Sequence, residues 1–202
     1  MAALRSLFGK GAPIPAEPVE LIYPRVTSHW SHIALSAVTA VLMLAGIPAL
    51  VMPLPQLGMW LCQGPLYLLG VLATFLVLVA VSLVLHEITH FVAATVLGKV
   101  MARFCCFDKK PAVFWYGSMS RNRAILTAAL PFALWCIAPL LMLGHLSPLA
   151  ALALYVPISF NLVGSRADIG QACYMAWFLP RDSRIYCHPE GLAFALPHCA
   201  RS

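Results

Sequence analysis

The chain has 202 residues, of which 61% are hydrophobic and only 10% are charged. About a quarter of the residues of a typical soluble domain are charged, so this composition excludes an ordinary soluble domain. It predicts an all-α integral membrane protein, because Glu87 is the only charged residue between Val26 and Gly98 and none lies between Ala124 and Ser165.

Residues 1–28 include four prolines and are predicted to form a flexible cytoplasmic lead. Residues 29–202 are predicted to form a single membrane-embedded domain with a cytoplasmic C-terminal tail. Crossing the hydrocarbon core takes about 20 residues in a helix. On that criterion we expect about four transmembrane helices, at roughly residues 32–52, 65–97, 124–143 and 148–163. The sequence "MPLP" ends the first span, and Gly98 follows the second as a C-terminal cap.

The basic residues predict the orientation of these spans. All thirteen Lys and Arg residues lie before span one, between spans two and three, or after span four. Basic loops stay cytoplasmic, so both termini should face the cytoplasm. Of the seven cysteines, only Cys62 lies on the other side, and we expect no disulfide framework. The net charge of +6 is explained by this topology and by anionic lipid, without a nucleic-acid partner.

The second span contains the sequence HEITH at residues 86–90. Residues at i and i+4 lie on one face of a helix, so His86 and His90 can bind one metal ion. Glu87 follows the first ligand, where its carboxylate can reach a water that the metal activates. This is the HExxH arrangement of zinc-dependent proteases, in which the Glu acts as general base. The alternative is a polar cluster that joins neighbouring helices. Such a cluster would need neither two histidines four residues apart nor a Glu directly after the first of them.

Residues 100–120 change in character, with aromatic and β-branched residues on both sides of the turn sequence "DKKP". They predict a short cytoplasmic β-hairpin between helices 2 and 3. The alternative is an interfacial loop whose aromatic side chains enter the headgroup layer. A hairpin at this position could hold a peptide substrate by adding it as a strand.

Two histidines leave a catalytic zinc ion one protein ligand short, since such sites commonly have three. Asp168 is the candidate that we favour, because it follows span four on the side where span two ends. The alternative reading of Asp168 is an exposed carboxylate paired with Arg166. Other candidates for the third ligand are His145, His188, Glu190 and His198.

Four segments carry a resemblance to a known family: "SLVLHEITHFVAATVLGKV", "MSRNRAILTAALPF", "NLVGSRADI" and "PRDSRIYCHPEGLAFALP". They resemble the bacterial four-helix putative zincin peptidase family, which is similar to the site-2 proteases that cut substrates in or near the membrane. The resemblance covers roughly residues 65–197. It implies a multi-pass protein of the bacterial inner membrane.

The resemblance also implies a Zn²⁺ site formed by His86, His90 and Asp168, with Glu87 catalytic. Asn161, by likeness to the Asn of site-2 proteases, would bind the substrate backbone, although an Asn that only bonds two helices fits the sequence equally well. The sequence departs from the site-2 protease pattern near this Asp, where Gly164 stands near the proline position and Ile169 follows Asp168.

These observations predict a zinc-dependent membrane endopeptidase that hydrolyses membrane or membrane-proximal protein substrates. The alternative is a non-catalytic zinc-binding membrane protein, either an inactive protease relative or a scaffold. A transporter is disfavoured because the chain has neither paired repeats nor a second charge within its spans.

Overall fold

The computed structural model describes residues 20–21, 29–51, 58, 62–107, 110–188 and 191–195. Most of these residues are helical, and the rest include two small antiparallel sheets. The chain divides into two compact units. The first unit comprises the described residues within 1–33, 87–130 and 167–202, and the second comprises those within 34–86 and 131–166. One helix runs unbroken through the division between His86 and Glu87.

Two helices, α1 (His29–Ala45) and α2 (Ile47–Val51), occupy the region of the predicted first span. The break between them is at Gly46, where a side chain would overlap the ring of Tyr155. The hydroxyl of Tyr155 donates a hydrogen bond to the carbonyl oxygen of Met43, at 2.7 Å. The glycine therefore allows a close approach of Tyr155, and the first predicted span stays a prediction.

The predicted second span is one long helix with the predicted bounds. Helix α3 (Pro65–Val92) continues into a π-helical turn, Ala93–Leu97, and the whole segment of 33 residues is long and apolar enough to cross a membrane. The N–H of Gly98 donates to the carbonyl of Ala93 at 2.9 Å and closes the last turn. His86 is the one buried residue of α3. In a soluble protein the apolar face of a helix is buried. In α3 the apolar side chains are mostly exposed and a polar side chain is buried.

The third predicted span lies within a helical segment of 25 residues, Arg121–His145, which is also long and apolar enough to cross a membrane. It consists of α4 (Arg121–Phe132), a π-helical turn (Ala133–Ile137), α5 (Ala138–Met142) and a 3-10 turn (Leu143–His145). The fourth prediction corresponds to α6 (Pro148–Gly164), which is followed after a 51° bend by α7 (Arg166–Phe178).

Within the described residues, two helical segments could therefore cross a membrane, or three if the bent pair counts as one span. These segments indicate a membrane protein. The count of four spans and the orientation of the termini stay predictions.

The strands form two antiparallel sheets. The predicted hairpin at residues 100–120 is confirmed as a strand pair, in which Met101 lies opposite Tyr116 and Phe107 opposite Lys110. Its cytoplasmic location stays a prediction. The second sheet has the order β1-β6-β5-β4, and its first strand falls in the lead that was predicted to be flexible. The strands are β1 (Glu20–Leu21), β2 (Met101–Phe107), β3 (Lys110–Tyr116), β4 (Ser118–Ser120), β5 (Arg184–His188) and β6 (Gly191–Ala195).

The core of the first unit lies between the four-stranded sheet and helices α4 and α7. Met119 of β4, Ile185 of β5 and Met175 of α7 are fully buried in one apolar cluster. Gly117 joins β3 to β4 with a φ of 83°, a conformation that side chains other than glycine adopt at a cost. The side chain of Arg121 donates to the carbonyl of Leu179 at 2.6 Å and so ties the start of α4 to the end of α7.

Candidate metal centre

The two histidines of HEITH lie on α3 and project from the same side of the helix. His86 is 6% exposed and the side chain of His90 is 14% exposed. The chain forms an uninterrupted helix here because a long run of apolar residues without Gly or Pro surrounds the motif. The helical repeat then places the two imidazoles one turn apart.

Asp168 lies in the first turn of α7 and approaches the second histidine. Its Oδ2 atom is 3.3 Å from Nε2 of His90, and its side chain is 26% exposed. The alternative reading of Asp168 paired it with Arg166. The Arg166 side chain donates to the hydroxyl of Ser36 at 2.6 Å. The carboxylate is therefore directed at the histidine.

The other ring nitrogen of His90 is also engaged. Its Nδ1 atom lies 3.0 Å from the backbone carbonyl oxygen of Thr127 in α4. A carbonyl oxygen only accepts hydrogen bonds, so this contact is a hydrogen bond when Nδ1 carries a proton. Nε2, the ring nitrogen that faces Asp168, is then the atom that would bind a metal ion. Metal-binding histidines are commonly fixed in this way by a backbone carbonyl.

The residues fit a zinc ion. One ligand atom from each of His86, His90 and Asp168 lies within 4.8 Å of the other two, and no other such cluster of His, Cys, Asp and Glu occurs among the described residues. In a tetrahedral site with bonds of about 2.0–2.1 Å, two ligand atoms lie roughly 3.3–3.4 Å apart. The separation of 3.3 Å between His90 and Asp168 has this value. Three protein ligands would leave the open position that a catalytic zinc ion needs.

Glu87 is half-buried on α3, directly after His86. It does not belong to the cluster of ligand atoms. Consecutive residues are rotated by about 100° around a helix, so Glu87 starts from a helix face next to the one that carries the two histidines. This position is compatible with the predicted role as a base.

Asn161 of α6 is 1% exposed and bonds to α3. Its Nδ2 group donates to the hydroxyl of Ser82 at 2.9 Å and to the carbonyl of Pro157 at 3.1 Å. Ser82 lies one helical turn before His86 on α3. The Oδ1 atom of Asn161 is buried and accepts no hydrogen bond from the described residues. The amide therefore joins two helices and retains an acceptor.

The hairpin β2–β3 lies directly beside the motif. The ring of Phe91, the residue after His90, stacks on Phe104 of β2 with 4.9 Å between the ring centroids. On the same hairpin, Arg103 lies 4.8 Å above the ring of Tyr116. A peptide bound along this hairpin would therefore be close to the metal cluster.

The structure brings together the three residues predicted as ligands, and it leaves the other candidates apart or undescribed. His145 is exposed in the 3-10 turn and is not in the cluster. The backbone of His188 belongs to β5, and Glu190 and His198 lie outside the described residues. Sequence reasoning missed the carbonyl of Thr127 and the hydroxyl of Ser82. For Thr127 the sequence did contain a signal: Pro131, four residues later, has no N–H to bond to the carbonyl of Thr127.

Comparison with known protein families gives one match. A family model described as "Putative zincin peptidase" matches residues 79–182, just over half of the chain. The matched range contains all five residues predicted for the site, from His86 to Asp168. No curated protein matches the chain, and no solved structure does.

Proposed function

Since the chain belongs to the putative zincin peptidase family, we propose that it is a zinc-dependent endopeptidase that hydrolyses peptide bonds of membrane or membrane-proximal proteins. The observation that carries this proposal is the convergence of His86, His90 and Asp168, whose ligand atoms all lie within 4.8 Å of one another. Glu87 stands beside the first of these ligands.

The proposed roles follow from the chemistry of the side chains. His86, His90 and Asp168 would hold the ion, and the carbonyl of Thr127 keeps His90 oriented. Zinc supplies a Lewis acid that acidifies water and polarises a carbonyl oxygen. Glu87 takes a proton from the attacking water and passes it to the nitrogen of the leaving amine. The water oxygen forms a bond to the peptide carbonyl carbon, the C–N bond breaks, and the products are a carboxylic acid and an amine.

Two further groups would position the substrate. The buried Oδ1 atom of Asn161 could accept a hydrogen bond from a substrate N–H. The hairpin β2–β3 could pair with an extended substrate segment, since its strand β2 is stacked against the residue after His90. The predicted likeness to site-2 proteases motivates the role of Asn161, and both this likeness and the two substrate-positioning roles stay predictions.

The decisive variant is Glu87→Gln. We expect it to keep stoichiometric zinc but to lose cleavage by a factor of about 10²–10⁴, because a positioned general base contributes that much. The test uses purified protein in lipid vesicles with a panel of tagged single-span membrane proteins, with products identified by mass spectrometry. Asp182→Asn, in an exposed turn, is the matched control and should cleave normally.

Each outcome of this experiment decides between the functions. Retained cleavage in Glu87→Gln contradicts the proposed base. A wild-type protein that binds stoichiometric zinc but cleaves no member of the panel favours the non-catalytic zinc-binding protein. A wild-type protein without zinc contradicts both functions.

A further inference from the structure

The carbonyl oxygen of Thr127 lacks its usual helical partner. In an α-helix the carbonyl of residue i accepts from the N–H of residue i+4. Four residues after Thr127 stands Pro131, which has no N–H. Pro131 lies inside a continuous helical segment, so the missing donor is a consequence of residue type and not of fraying.

Water is not available to replace that donor. Pro131 is fully buried and Thr127 is 3% exposed. An unsatisfied buried carbonyl is costly, and in a membrane the cost is higher still because the surroundings offer no donors. The donor that the structure supplies is Nδ1 of His90, at 3.0 Å.

We propose that Pro131 is a positioning residue for the metal centre. By removing one backbone N–H it reserves the carbonyl of Thr127 for His90. The hydrogen bond then places the proton of His90 on Nδ1, and Nε2 faces Asp168 at 3.3 Å. The carbonyl oxygen of Thr127 contacts His90, which is a predicted ligand. The role of Pro131 rests on the proposed function only for the identity of the ion.

Pro131 destabilises the helix that contains it, and a single π-helical turn, Ala133–Ile137, follows Pro131. Such turns are frequent at functional sites. Ala at 131 would restore the helical hydrogen bond to Thr127, and the restored N–H would compete with His90 for the same oxygen.

Pro139 provides a matched control. It also lies inside the segment Arg121–His145, in α5, and it also lacks an N–H. It stands eight residues beyond Pro131, or roughly 12 Å along the helix. Any general effect of removing a proline from this span should therefore occur in both variants, whereas an effect on His90 should occur only at 131.

The test measures zinc affinity and the tautomer of His90 in full-length protein in detergent. Pro131→Ala should weaken zinc binding by about 10–100-fold in competition with a chelator, the usual effect of losing such a support. In metal-free protein labelled with ¹⁵N-histidine, and assigned by difference with His90→Gln, wild type should show a proton on Nδ1. Pro131→Ala should show a mixture of tautomers. Pro139→Ala should match wild type in both measurements.

Unchanged zinc affinity together with an unchanged His90 signal in Pro131→Ala would overturn the inference and leave the proposed function intact. If wild type binds no zinc, the proposed function fails, but the tautomer measurement still tests the role of Pro131. If Pro131→Ala does not fold, the wild-type spectrum decides, because an Nδ1 atom without a proton in the metal-free protein contradicts the proposed hydrogen bond.

Discussion

The candidate metal centre combines two imidazoles with the carboxylate of Asp168, and a second acidic residue, Glu87, follows the first histidine on α3. A charge within a membrane span costs roughly 2.5–3.5 kcal/mol on insertion scales. A Zn²⁺ ion carries two positive charges, which equal the two negative charges of Asp168 and Glu87. Neutral His86 and His90 add no charge. The occupied centre would therefore be neutral as a whole, which explains how two acidic residues are accommodated there.

This charge balance leads to a prediction for the third ligand. Asp168→Ala should purify with less than a tenth of the zinc of wild type, because it removes both a ligand and the charge that offsets the ion. His86→Ala should show the same loss. The zinc content is measured by mass spectrometry of the purified proteins, with Asp182→Ala as the control.

Full zinc content in Asp168→Ala, beside a loss in His86→Ala, would show that another residue is the third ligand. The tail beyond β6 would then be the place to search, since His198 belongs to it.

At the scale of elements, one polar contact joins the helix that carries the histidines to α6. The Nδ2 group of Asn161 donates to Ser82, one turn before His86. Asn161 can join the two helices and bind substrate at the same time, because its side-chain amide has both a donor and an acceptor. Nδ2 bonds to the protein, and Oδ1 accepts no hydrogen bond from the part of the chain that the structure describes.

The two ends of Asn161 can be separated experimentally. Ser82→Ala removes the contact between helices, whereas Asn161→Ala removes that contact and the substrate acceptor. We expect Ser82→Ala to lose about 1 kcal/mol of stability, typical of one hydrogen bond. Asn161→Ala should lose more, because Nδ2 of Asn161 also donates to the carbonyl of Pro157. Asn161→Ala should lower kcat/KM at least tenfold more than Ser82→Ala. Thermal unfolding in detergent and cleavage kinetics measure the two effects. Equal kinetic losses would mean that Asn161 serves only to join the helices.

At the scale of the whole molecule, many large apolar side chains of the described residues are exposed, and a large group of them belongs to α3. None of the most apolar stretch of 18 residues in the segment Pro65–Leu97 is buried. A soluble protein rarely exposes an apolar patch of more than a few hundred Å². Such exposure is typical of a helix that crosses a membrane, and the orientation of this helix is the property that the basic residues predict.

Cys62 offers a direct test of the predicted orientation. It is exposed and free, and it precedes α3 at the end opposite to HEITH. In spheroplasts of an expressing bacterium, a membrane-impermeant maleimide should label Cys62 while the membrane is intact. The Cys62→Ser variant should not take up this label. Cys173 and Cys187 should react only after the membrane is permeabilised. Labelling of Cys62 only after permeabilisation would reverse the predicted topology.

The sequence by itself determined the features that depend on neighbouring residues. The bounds of the segment Pro65–Leu97 follow from one uninterrupted apolar run that Gly98 ends, and the pairing of His86 with His90 follows from the helical repeat. The hairpin at residues 100–120 follows from two β-prone segments around a turn. Each signal is contained within a few tens of residues.

Only the tertiary structure decided the features that join distant parts of the chain. The break at Gly46 depends on Tyr155, and the position of Asp168 against His90 depends on how α7 packs. The carbonyl of Thr127 is directed at His90 for the same reason. Periodicity reports which face of a helix is apolar, but it does not report which helix lies against that face. That choice depends on side-chain packing summed over the whole unit, which no local pattern contains.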